Sequence, residues 1–308
     1  MAQLIVSQND SAFGSYHGCE LPPELPKKWP LGLDRIKDLW ETNAEGRLLV
    51  YLCKVAEDYK PGNNLTQFYG VGWIDYRFGA RPKIFVPLLG NGIFTQEGLA
   101  WKHSRELLRK QFIRVQYQNL DDFREYVDNL ISRLPSNGIV DLQPLFFDMT
   151  LDTATALLFG RSVYSLRAGI DQHEENRLFA ESFDIAQEGL AKRFRIAPWY
   201  FLYNPLSFRK ACANVHRFVE SYITESNLEK VEDHEMKKYG FIKQIAEEST
   251  SLEELRDQLL NVLLAGRDTT VCCLSWTFRL LVRHIYVIKR LRQEITSIMG
   301  GSSMPSRD

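Results

Sequence analysis

A stretch that opens at Ser251-Leu252-Glu253-Glu254 and stays apolar at helical spacing to about Val282 constrains this chain more than any other feature. The S-x-x-E opening is a capping box: the serine side chain and the glutamate three residues on satisfy backbone N–H groups that a helix start leaves free. At 1.5 Å per residue, a helix of this span is roughly 45 Å long, enough to cross a whole domain. The rest of the chain has to be built around it.

From Leu99 onward the pattern is almost wholly helical. Leu120 to Leu134 reads as a helix closed by Pro135-Ser136-Asn137-Gly138, and Leu145 to Phe159 as one closed by Gly160. Between them, Ile139-Val140-Asp141-Leu142 is the one candidate strand. A polar helix is expected near 171–196, followed by an aromatic connector, Ala197 to Asn204-Pro205, that suits either a packed loop or a membrane-facing patch. Helices are expected again at 206–230 and 234–248. Upstream, helix begins near Leu33, and Leu48, Leu49, Leu52, Val55 and Ala56 recur at helical spacing until Pro61-Gly62. Residues 65–98 hold six glycines and no helical stripe, so they read as loop with one short strand at most.

Composition removes several classes of function. The chain has 308 residues, 44% hydrophobic and 25% charged, which suffices for a large core, and length alone allows two domains. A formal charge of -1 leaves no field to gather polyanions, so no nucleic-acid partner is expected. Cys19, Cys53, Cys212, Cys272 and Cys273 include no C-x-x-C pair, which argues against a zinc ribbon or disulfide framework and for a reducing compartment. There is no apolar stretch of eighteen residues, no H-E-x-x-H, no G-x-S-x-G and no P-loop. Gly90-x-Gly92 lacks the third glycine and preceding strand of a dinucleotide fingerprint, and the six histidines are scattered.

Two places break the local rules. Leu264-Ala265-Gly266-Arg267-Asp268-Thr269-Thr270 is poor in helix formers, yet lies inside the strongest helix, where glycine costs about 1 kcal/mol relative to alanine. A carboxylate beside hydroxyls in that setting needs partners. It marks either a kink with Asp268 paired to Arg267 or a neighbouring helix, or a functional site. At the start of another helix, Trp101 and Arg105 stand four residues apart and share a face. An indole N–H and a guanidinium together form a donor set suited to a ligand carboxylate, or else a cation–π pair.

Taken together, G-x-G-I-F-x-x-x-G-x-x-W-x-x-x-R from Gly90 to Arg105, followed 160 residues later by A-G-R-D-T-T in a long helix, resembles cytochrome P-450. The wording of Gly92-Ile93-Phe94, Trp101 to Arg105 and Leu264 to Thr270 is most similar to the fungal group that hydroxylates n-alkanes and fatty acids. The resemblance covers about residues 88–298 and implies a mainly α fold, the front part of the cytochrome P-450 fold, with little or incomplete β. It implies one incomplete domain over 1–308, with an irregular part to residue 87 and a frayed end from 299.

The resemblance also implies haem as cofactor, with Trp101 and Arg105 on its propionates, and with Ala265 and Gly266 leaving flat space over the porphyrin. Asp268 and Thr269 match the acid and alcohol that relay protons to bound dioxygen, and Gly266 would open the helix ladder locally for them. The reaction implied is monooxygenation of a long-chain apolar substrate with O2 and electrons from NADPH through a cytochrome reductase, on the cytosolic face of the endoplasmic reticulum.

There are departures from the family. Its E-x-x-R helix and cysteine loop are expected after Ile298, so no metal ligand is assigned: the axial cysteine is expected to be absent from this chain, which by itself is expected to be inactive. Cys272 and Cys273 read as packing residues. His284-Ile285 lacks the family group's proline, the stretch between Pro61 and Ala80 is short, and no amino-terminal anchor is present, a combination expected of an incomplete gene product. The alternative from a different class is a haem-free helical binding protein on the same scaffold.

Overall fold

The protein's structure, a computed structural model, describes residues 28–29, 33–48, 50–51, 53–54, 78–115, 121–167, 173–197, 199–228, 240–249 and 251–299. The chain divides into two compact units, Met1–Val71 and Gly72–Asp308. In the first, helix α1 spans Leu33–Ala44, and the Lys28 backbone N–H donates to the Asp34 carboxylate at 2.9 Å just ahead of it. Residues 48, 50, 51, 53 and 54 are helical, as the spacing of Leu48 to Ala56 predicts where it can be compared.

The second unit is built from nine helices among the described residues, with no strand among them. They are α2 (Arg81–Leu89), α3 (Gly98–Val115), α4 (Asp121–Ser132), α5 (Leu142–Phe159), α6 (Glu174–Arg195), α7 (Leu206–Leu228), α8 (Gly240–Glu248), α9 (Leu252–Arg283) and α10 (Ile285–Met299). The mainly α expectation holds. Two local readings do not. Arg81–Leu89 is a helix, not loop, because Pro82 sits where a missing N–H costs nothing and Ile84, Leu88 and Leu89 bury one face. Of the same loop reading, residues 65–77 lie outside the described residues. Ile139 and Val140 form no strand: Ile139 is fully exposed, and Asp141 caps α5 by accepting from the Gln143 N–H at 3.1 Å.

The predicted boundaries elsewhere lie close to those found. Gly160 ends α5 in the left-handed conformation, φ 72°, which glycine adopts without strain. Ser251 caps α9, its hydroxyl accepting from the Glu254 N–H at 3.1 Å. The start expected for α8 at residue 234 lies outside the described residues. At His284 the chain bends by 107° into α10, which starts four residues before the expected Lys289. The His284 N–H is still satisfied by the carbonyls of Leu280 and Leu281, so the boundary is sharp without proline. No single described helix is long and apolar enough to cross a membrane.

The core forms where α5 packs on α9 and α6 on α7. Leu158, Phe159, Phe179, Phe183, Val215, Val219, Leu259 and Leu263 are all buried. Phe179 stacks on Phe218 with ring centroids 4.1 Å apart. In the aromatic connector, Tyr200 and Tyr203 pack around Arg193, whose guanidinium donates to the carbonyls of Tyr203 at 2.9 Å and Ile84 at 3.3 Å, while Phe201 and Leu202 face outward. The connector is thus half packed and half exposed.

α5 is apolar nearly all round, and its exception is informative. Asp152 is only 1% exposed, and its carboxylate accepts the N–H groups of Ser165 and Leu166 at 2.6 and 3.0 Å, tying down the turn that follows the helix. Burial pushes its carboxyl from the ordinary 3.8 up to about 6, against the pull of those two N–H bonds. Because the pKa is higher folded than unfolded, its contribution to stability is fully present below the unfolded value and is lost as pH rises through about 6. At about 1.4 kcal/mol per pKa unit, the loss between pH 4 and 7 is on the order of 2–3 kcal/mol. Urea midpoints of the protein and of Asp152→Asn at both pH values check this: the difference between the two proteins should shift in favour of the asparagine variant at pH 7.

A candidate cofactor cavity between α3 and α9

α3 and the first half of α9 face each other across a cavity of about 380 Å³. From α3 come Arg105, Leu108, Arg109 and Phe112; from α9, Asn261, Val262 and Ala265; Ile93 and Phe94 close it from the preceding turn. A second hollow of about 260 Å³ shares Phe112, Val262 and Ala265 and continues to Gly266 and to Ala154, Leu157 and Leu158 of α5. The lining is almost wholly apolar apart from Asn261 and the two arginines. Leu108, Arg109 and Phe112 follow Arg105 at +3, +4 and +7, so one face of α3 supplies all four.

The residues expected from the sequence fall into two sets. Arg105, Ala265 and Gly266 line the hollows. A methyl group added at Gly266 would meet only the Ala154 methyl, at 3.9 Å, so glycine leaves open space there and is not forced by a neighbour. Trp101 lies beside Arg105, whose guanidinium is 5.8 Å from its ring centre; the cation–π arrangement and a cavity-facing Arg105 coexist. Neither Arg105 nor Arg109 has a hydrogen bond or ion pair to a described residue.

Asp268 and Thr269 are turned elsewhere. Asp268 accepts a hydrogen bond from the Gln187 side-chain amide of α6 at 2.7 Å, and lies 3.8 Å from the Arg267 guanidinium. Burial raises its carboxyl above the ordinary value, while Gln187 and Arg267 lower it. The Thr269 hydroxyl donates to the Ala265 carbonyl at 2.6 Å within an α9 that stays helical through Gly266. The local opening of the ladder expected at Gly266 is therefore not found; the threonine satisfies itself by bonding back one turn.

The polar residues that hold the cavity's walls are absent from the expectations drawn from the sequence. Asp257, Gln258 and Asn261 are buried on α9 amid leucines. Polar side chains inside an apolar helical stretch were the available signal. They also explain Gly90 and Gly92: a β-carbon at Gly90 would lie 2.0 Å from the Asp257 carboxylate, and one at Gly92 would lie 2.2 Å from the Asn261 amide. The glycines make room for side chains of α9, not for a phosphate.

A unit whose described elements are helices, with an apolar hollow between its longest helix and a tryptophan–arginine helix, is the arrangement that comparison with known proteins identifies. The Cytochrome P450 family model matches residues 78–308, and the chain belongs to that family. A cytochrome P450 of Arthroderma benhamiae is 40% identical over 96% of this chain and 60% of its own length. Cytochrome P450 52A13 of Debaryomyces hansenii is 36% identical over 94% of this chain and 61% of its own. The chain thus spans about 60% of the length of these relatives. Among solved structures, the cytochrome P450DA heme domain superposes with a TM-score of 0.62 at 20% identity, covering 75% of this chain and 51% of that one. At that identity the likeness concerns the fold.

Haem is the cofactor that membership implies, and the residues present fit it: apolar walls on two helices, with guanidiniums at the side that bond to no described residue, suit an apolar disc that carries carboxylates. None of the four described cysteines lines either hollow. Among the described residues no group of three or more His, Cys, Asp or Glu side chains is placed to hold a metal ion.

Proposed function

We propose that this chain provides one wall and the carboxylate grip of a haem monooxygenase that hydroxylates long-chain apolar substrates. The observation that carries the reading is the cavity lined jointly by Arg105 of α3 and by Val262 and Ala265 of α9. When bound, haem would supply the activation of dioxygen, one atom entering a substrate C–H bond and the other leaving as water, with two electrons and two protons delivered from outside.

The protein's residues bind and orient. Arg105, and the Trp101 indole beside it, would hold the propionates by charge-assisted and neutral N–H bonds. Ala265 and Gly266 keep bulk away from the reacting face, and Ile93, Phe94 and Val262 exclude water. To move a proton toward the cavity Thr269 would give up its bond to the Ala265 carbonyl, and Asp268 would have to turn from Gln187 to take the outer place in the same relay. The electrons come from NADPH through a cytochrome reductase at the cytosolic face of the endoplasmic reticulum membrane, and the axial thiolate comes from outside residues 1–308.

Carbon-monoxide difference spectroscopy tests the last assignment. The ferrous, haem-loaded 308-residue chain should give no thiolate-type band, in line with the four described cysteines, none of which lines the cavity. A thiolate-type band that disappears on replacing one of the five cysteines would overturn it.

A further inference from the structure

Asp257, Gln258 and Asn261 stand on one face of α9, and Asp257 and Asn261 reach toward the segment that leads into α3 while Gln258 reaches α3 itself. The Asp257 carboxylate accepts the Asn91 N–H at 2.7 Å. The Asn261 side chain uses both its ends: its oxygen accepts the Phe94 N–H at 2.9 Å, and its amide donates to the Leu89 carbonyl at 2.9 Å and to the Asp257 carbonyl at 2.8 Å. The Gln258 amide donates to the Ser104 hydroxyl at 2.5 Å, and that hydroxyl donates to Gln96, also at 2.5 Å. Within the turn itself, Thr95 donates to the Gly90 carbonyl at 2.7 Å and accepts the Gly92 N–H at 2.9 Å.

Ser104 immediately precedes Arg105, and Phe94 and Asn261 are themselves cavity walls. Between them the three side chains of α9 therefore hold both the turn, through Asp257 and Asn261, and the arginine helix, through Gln258 and Ser104. Asn261 and Gln258 are fully buried, with no water to take over a bond that breaks. Gly90 and Gly92 let the backbone come close enough for the grip.

We propose that Asp257, Gln258 and Asn261 are positioning residues, a clasp that fixes the spacing of α3 against α9 so that the cavity and Arg105 are in place before any ligand arrives. This rests on the cavity being the haem site. A preformed cavity avoids the affinity lost when the competent arrangement is populated only part of the time.

The test uses the 308-residue chain, its Asn261→Ala and Asn261→Asp variants, and hemin as the probe. In Asn261→Ala, hydrogen exchange over residues 89–96 should quicken at least about tenfold while peptides from α6 and α7 keep their protection, which separates loosening of the clasp from global unfolding. Hemin should then associate about tenfold more slowly and bind about tenfold more weakly. Asn261→Asp, which keeps the acceptor for the Phe94 N–H, should recover part of both effects. Should Asn261→Ala fail to fold, Gln258→Leu, which cuts only the Ser104 link, takes its place with the same expectations for hemin. Unchanged exchange in the 89–96 segment would overturn the clasp. Faster exchange with unchanged hemin kinetics would leave the bonds as structure alone and overturn the positioning role. If hemin shows no saturable binding to the unaltered chain, the haem reading of the cavity fails, whatever the exchange data show.

Discussion

Replacing Phe179 with alanine should lower the free energy of unfolding by about 3–5 kcal/mol, a large part of the roughly 5–15 kcal/mol typical of a domain. Phe179 is 1% exposed and sits where α6 and α7 press together, stacked on Phe218 and 5.9 Å from Phe183. Truncation removes buried apolar area, leaves a hollow that the two helices cannot close, and loses a ring pair worth about 0.5–1.5 kcal/mol beyond its area. In urea the midpoint should fall with little change in slope, because the native and unfolded states expose nearly the same surface as before. Phe179→Leu should cost well under half as much. A loss for Phe179→Ala below about 1 kcal/mol would mean that this interface is not close-packed.

The second large effect is expected at Arg267. Its side chain is 3% exposed, donates to the Gln187 carbonyl oxygen at 2.7 Å and to Asp184 at 2.6 Å, and lies over the rings of Phe147 and Phe183. Arg267→Ala should cost about 2–4 kcal/mol, most of it from lost packing and from the Gln187 carbonyl oxygen left without its donor. The Asp184 share is small, because that carboxylate is 62% exposed and returns to water. A double-mutant cycle separates these shares: coupling of Arg267 with Gln187 should exceed coupling with Asp184. The reverse order would show that the exposed ion pair, not the amide, holds α9 to α6. Arg267 also orients the amide that meets Asp268, so the segment that the sequence marks as anomalous is anchored from α6, not loosened.

Most helices were legible because their signals are local. The Ser251 capping box, Gly160 at the end of α5 and the i, i+4 pair Trp101 and Arg105 each need only a few neighbouring residues to be read. α2 was not, since nine residues rich in proline and surrounded by glycines look like loop until tertiary burial of Ile84, Leu88 and Leu89 is known. Ile139-Val140 carried strand propensity with no partner strand to pair with, and Asp141 used the position to start a helix instead. At the site, Arg105, Ala265 and Gly266 were readable as one constellation. The clasp was not, because Asp257 and Asn261 have meaning only against Asn91 and Phe94, some 166 and 167 residues away. Side-chain direction was equally hidden: nothing in A-G-R-D-T-T tells that Asp268 meets Gln187 or that Thr269 bonds back to Ala265.

Hemin titration with and without its carboxylates tests the account most directly. The 308-residue chain should bind hemin more tightly than hemin dimethyl ester, and Arg105→Ala should weaken hemin binding by about tenfold, equivalent to roughly 1.4 kcal/mol, while leaving the ester unaffected. Equal affinity of the protein and its Arg105→Ala variant for hemin would contradict the claim that the cavity between α3 and α9 holds a porphyrin by its carboxylates.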